Sequence, residues 1–137
     1  MNKALFVLVS FALSSISLAH EGHGVPGALQ AKHGGTIKGG NAVYLELVQE
    51  GEQLKLYPMT HELEPIPLGE LRLEATAQLP RAKEKKPVPF SARTAAQSVD
   101  SHFSGSVQAQ GAHRFSLEVT AHYQGKKDRV VFQVEPR

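Results

Sequence analysis

The sequence predicts an all-β fold: an antiparallel immunoglobulin-like β-sandwich of about seven strands, behind a cleaved signal peptide and a flexible His/Gly-rich arm. Three observations lead there. From residue 36 onward, apolar residues recur at every second position, the period of a half-buried strand. Gly, Pro or polar clusters interrupt the alternation every 8 to 12 residues, the turn spacing of two-sheet folds. No segment sustains the i, i+3, i+4, i+7 pattern of an amphipathic helix. A small Greek-key barrel shares this pattern, because alternation does not say how the sheets close.

Residues 1–19 read as a signal peptide, with Lys3 as the positive region, Ala4 to Leu13 as the apolar region and Ser17-Leu18-Ala19 as a small-x-small cleavage site. The apolar run is about half the roughly 20 residues a spanning helix requires. Export to a bacterial periplasm is therefore expected, with no membrane span in the mature protein and His20 as its first residue. Residues 20–35 are rich in Gly and His with almost no large apolar side chain, so they build no core and are expected to form the arm.

The sandwich domain is expected over 36–137. A first strand lies between Gly34-Gly35 and Gly39-Gly40. In Ala42–Gln49, Val43, Leu45 and Leu47 face inward, and Tyr44, Glu46 and Val48 face outward. Glu50-Gly51-Glu52 turns this strand into Gln53–Met59, where Leu54 and Leu56 face the core and Lys55 and Tyr57 face away. Thr60–Gly69, with prolines at 65 and 67, should be irregular, and Leu71, Leu73, Ala75, Ala77 and Leu79 mark a long strand. Pro80–Pro89 is a charged connection bracketed by prolines and reads as a solvated loop. Phe90–Arg93 is a short strand, and Thr94–Ser98 one turn of helix. His102–Gln110 and His113–Tyr123 are expected to form a second hairpin around Gly111. The last strand, Arg129–Glu135, follows a Gln124-Gly125-Lys126-Lys127 turn.

Of 137 residues, about 118 remain after the leader, enough for one hydrophobic core. Fifteen basic side chains stand against 13 acidic ones, a balance that argues against nucleic acid or an anionic membrane as partner. With no cysteine, a disulfide framework, a thiolate metal site and a cysteine-anchored lipoprotein are excluded. All seven histidines follow the leader, so a metal site would draw on imidazole, carboxylate, thioether or backbone groups.

An amino-terminal His20 offers its α-amine and its imidazole to one ion, a chelate suited to Cu(II), and His23 adds a second imidazole. His33 stands before two glycines that let the chain turn toward the domain. Met59 and His61 would share a face if their strand continued, pairing a soft thioether with an imidazole. In the expected second hairpin, His102 lies opposite His122 or one diagonal step away, while His113 is a turn residue. The metal ligands expected are thus His20, His23, His33 and His61, and the cofactor a copper or zinc ion. There is no nucleophile elbow, zinc-protease motif or phosphate loop, and the acidic residues sit on separate elements. No enzyme is expected, and a copper oxidase built on a histidine brace is disfavoured because a glycine-rich arm is a poor platform for it.

The stretch His33-Gly34-Gly35-Thr36-Ile37, with Val43-Tyr44-Leu45-Glu46-Leu47 and Leu54-Lys55-Leu56-Tyr57 after it, resembles a group of small exported bacterial proteins carrying this HGG motif. They are associated with heavy-metal and copper efflux, and the module is similar to one at the front of some periplasmic adaptors of metal-exporting pumps. Ala112–Ala121 and Tyr123-Gln124-Gly125-Lys126 resemble its C-terminal part. The resemblance implies an immunoglobulin-like sandwich and a periplasmic efflux component as partner, and His33 is the one motif position it carries across. The expected function is a periplasmic metal-binding carrier or buffer. The alternative is a non-catalytic envelope interaction module, docking through a sandwich edge or Pro-rich loops, with incidental histidines.

Overall fold

The alternation that begins at residue 36 resolves into nine strands in the computed structural model, which describes residues 29–136. They are β1 (Thr36–Gly39), β2 (Tyr44–Glu50), β3 (Gln53–Met59), β4 (Leu71–Gln78), β5 (Lys86–Pro87), β6 (Ser91–Arg93), β7 (His102–Ser106), β8 (Phe115–Tyr123) and β9 (Lys126–Val134). A five-stranded antiparallel sheet, β1-β2-β3-β7-β6, faces a four-stranded one, β5-β4-β8-β9. The fold is a β-sandwich. Among the described residues both sheets keep open edges, so the nine strands are not the closed barrel that the same alternation allowed.

One residue in two of each long strand enters the core. Val43, Leu45, Leu47, Leu54, Leu56 and Phe103 come from the first sheet's side. Ala75, Ala77, Leu117, Val119, Val130 and Phe132 answer from the second. Asp128 occupies an inward position of β9 and is only 4% exposed. Its carboxylate accepts the Asn41, Ala42 and Val43 backbone N–H groups at 2.9, 2.7 and 3.0 Å. It thereby ties the β1–β2 connection of one sheet to the edge strand of the other. Gly40 is required beside it, since a Cβ there would stand 2.3 Å from Asp128 Cγ.

Several expectations are corrected. The second hairpin does not form: β7 pairs with β3 and β6 in the first sheet, and β8 with β4 and β9 in the second. After Ser106 the Val107 N–H bonds the Glu52 carbonyl, and left-handed Gln110 and Gly111 carry the chain across to the other sheet. Gly111 therefore turns a crossover, not a hairpin, and His102 and His122 lie on different sheets. The β8–β9 turn is the two-residue Gln124-Gly125, both left-handed, so β9 starts at Lys126. The helical turn falls at Ser98–Asp100, a 3-10 turn, and a second one covers Leu68–Glu70. Within the proline-bracketed connection, Lys86–Pro87 forms the short edge strand β5, a place where a missing N–H costs little.

Candidate functional site

Outward residues of the first sheet are expected to be solvated, yet Glu46 is 0% exposed. Its cover is the segment that precedes β1. Gly34 has φ +73°, a left-handed turn that folds His33 back over β2. Gly35 then passes so close that a Cβ would stand 2.2 Å from the Leu47 carbonyl oxygen. Glu46 Oε2 accepts the His33 and Gly35 backbone N–H groups, each at 2.9 Å, and Oε1 meets His33 Nδ1 at 2.9 Å. The HGG motif is thus a backbone cradle for one buried carboxylate.

The His33 ring is held from three sides. It stacks on Tyr57, the register partner of Glu46, with centroids 3.7 Å apart and planes 11° from parallel. Its Nε2 lies 3.1 Å from Asp100 Oδ1, on the 3-10 turn before β7. Two ionised carboxylates offer only acceptors, so both contacts are satisfied together when both ring nitrogens donate, as in the imidazolium form. The neutral ring donates to one of them. Binding a metal through His33 requires giving up one of these contacts.

Burial pushes the Tyr57 phenol above its ordinary value of about 10, opposed by Lys55 and reinforced by Glu50, Glu46 and Asp100. The folded state therefore keeps a proton that the unfolded chain gives up, and stability falls as pH rises above about 10. Alkaline titration of phenolate absorbance should show a late step that disappears in Tyr57→Phe. A Tyr57 that ionises with the unfolded protein's midpoint would contradict the burial described.

His102 also packs against Tyr57, ring centroids 5.1 Å apart and planes tilted by 42°. Its Nδ1–H donates to the Asp100 carbonyl at 2.9 Å, and Nε2, which carries the lone pair whenever the ring is neutral, has no hydrogen bond among the described residues. His61 is fixed in the opposite sense: its Nε2–H donates to the Gly40 carbonyl at 3.0 Å, leaving Nδ1 open, and the ring tilts against Tyr44 at 4.6 Å. A backbone carbonyl that sets the tautomer from behind is the usual support of a metal-ligating imidazole.

Of the sequence-expected ligands, His33 and His61 sit on or beside this outer face, and His20 and His23 lie outside the described residues. The strand carrying Met59 ends there, and Thr60 turns the chain, so Met59 and His61 do not share a strand face. Met59 is buried, bridged to Pro65, while His61 is exposed. His122 lies between Arg72 and Lys127 on the second sheet, its buried Nε2 unbonded among the described residues, with Glu74 Oε2 at 3.8 Å. His113 is exposed on the crossover. Sequence reasoning missed Glu46, Tyr57 and Asp100 as one cluster with His33. The available signal was a glycine pair able to aim N–H groups at an anion, one strand away from a carboxylate. Among the described residues, no three His, Asp or Glu side chains are arranged to hold a metal ion.

No protein-family model matches the chain, and no curated protein matches it. Among solved structures it is similar to a DUF4426 family protein from Pseudomonas aeruginosa, at 10% sequence identity and a TM-score of 0.48, over 73% of this chain and 94% of that one.

Proposed function

We propose that the chain is an exported, periplasmic metal-binding protein, a copper or zinc carrier or buffer serving heavy-metal efflux. The observation that carries the reading is His102: Nδ1–H donates to the Asp100 carbonyl, and Nε2 is left without a hydrogen bond among the described residues, on a ring packed against Tyr57. The domain supplies such partial sites, at His102 and at His61. The remaining ligands are the α-amine and imidazole of His20 and the imidazole of His23. Ten residues separate His23 from His33, a chain length that reaches up to about 33 Å, ample to bring His23 over the Tyr57–His102 face. The link to efflux comes from the resemblance around the HGG motif, whose cradle gives the arm a fixed point of departure. Nitrogen donors without thiolates suit Cu(II) and Zn(II) better than Ca(II) or Mg(II).

Calorimetric titration of the mature protein, with His20 verified as its first residue, should give one tight Cu(II) site and a weaker Zn(II) site. His20→Ala with His23→Ala should weaken Cu(II) binding by about 100-fold, and His102→Ala by about 10-fold. His113→Ala should leave it unchanged. Equal affinity in all four proteins, or no binding by the parent, rejects the reading.

A further inference from the structure

Among the described residues the two sheets present their open edges β1 and β9 side by side, and no backbone hydrogen bond joins them. β9 bonds, among the described residues, to β8 on one flank only. On the other, the Val131 carbonyl accepts a side chain in place of a strand, the Lys38 ammonium at 2.7 Å. Between the edges runs a groove of about 650 Å³, lined among others by Lys38, Tyr44, Lys127, Arg129 and Val131. Val131 is the exposed large apolar side chain of the described residues, at 37%. Asp128, the only acid in the groove among the described residues, is occupied by three backbone N–H groups, so the described lining is cationic toward solvent.

We infer that this groove is a docking site for an extended acidic segment of a partner protein, which adds to β9 as a further strand. Strand addition draws its affinity from main-chain hydrogen bonds and its specificity from alternate side chains. Lys38 guards the edge, as lysines commonly do. An arriving peptide N–H can replace the ammonium at the Val131 carbonyl, and the released ammonium then pairs with a carboxylate of the same segment. Only an acidic strand converts the guard into a partner in this way. A second copy of this chain is disfavoured, because its own β9 brings Lys126, Lys127 and Arg129 and, apart from the occupied Asp128, no carboxylate to take the released ammonium. Arg129 already meets Glu118 at 2.7 Å, so an acidic residue would share that guanidinium. The inference stands independently of metal binding.

The test uses the full mature protein in chelator-containing buffer and the peptide Ac-(Glu-Val)4-NH2. Amide shifts should concentrate at Thr36–Gly39 and Lys127–Val131. Lys127→Glu with Arg129→Glu should weaken binding at least 10-fold, at unchanged circular dichroism. Lys83→Glu with Lys86→Glu, on the other basic segment, should bind like the parent. The same peptide with every backbone N–H methylated, equal in charge but unable to donate to β9, should bind at least 10-fold more weakly. Equal binding of both peptides overturns strand addition in favour of charge alone. Shifts elsewhere, insensitivity to the β9 variants or no binding at millimolar peptide overturns the site.

Discussion

Glu46→Ala is expected to cost about 3 kcal/mol or more, the usual penalty for removing one member of a buried charged cluster. For a domain of this size that lowers the midpoint of thermal unfolding by about 12 °C or more. The loss has a specific origin. Two backbone N–H groups and one ring nitrogen converge on this carboxylate, and alanine leaves all three without an acceptor. Hydrogen exchange at His33 and Gly35 should accelerate more than at the core strands. Glu46→Gln behaves differently. Its one oxygen can keep both backbone N–H groups, and its NH2 then faces His33 Nδ1, which accepts if the neutral ring carries its proton on Nε2 toward Asp100. We expect Glu46→Gln to lose less than about 1 kcal/mol and to keep His33 and Gly35 protected. Equal losses in the two variants would show that charge, and not the acceptor geometry, holds the segment.

Asp128 makes the opposite case from a similar cradle. Asp128→Ala removes the acceptor of three backbone N–H groups at the seam of the two sheets, and about 3 kcal/mol or more should be lost. Here the amide does not rescue. One asparagine oxygen can serve Ala42 and Val43, but its NH2 then faces the Asn41 N–H, a donor that cannot become an acceptor. Asp128→Asn should therefore lose about 2 kcal/mol, measured by chemical denaturation with an unchanged m-value. A loss within about 0.5 kcal/mol of zero would refute the assignment of that third contact. Glutamine should be tolerated at 46 and asparagine not at 128 for one reason: an imidazole nitrogen can exchange roles and a peptide nitrogen cannot.

The strands were readable because a pleated backbone turns every second side chain to one face. Val43, Leu45, Leu47, Leu54, Leu56, Leu117 and Val119 announced their burial by alternation alone. The same rule sent Glu46 outward, which is correct as a direction, and left its burial invisible. That burial comes from residues 33–35 folding over it, and no period-2 pattern encodes a cover supplied by irregular backbone. Alternation also continued on both sides of Gly111, and it suggested a hairpin where a crossover stands. Turn chemistry says that the chain reverses or bends, and it does not say which sheet the next strand joins.

What the amino-acid sequence determined by itself is therefore local: the places of the long strands, the inward face of each, a chain reversal at Gln124-Gly125 and the freedom to turn at Gly34-Gly35. Each depends on the sterics of a few neighbouring residues. The tertiary structure alone decided which side chains meet. It placed His33 between Glu46 and Asp100 across 13 and 67 residues of chain, put Tyr57 beneath it, and separated His102 from His122. Such meetings follow from strand pairing order, which the whole core settles by burying both sheets at once.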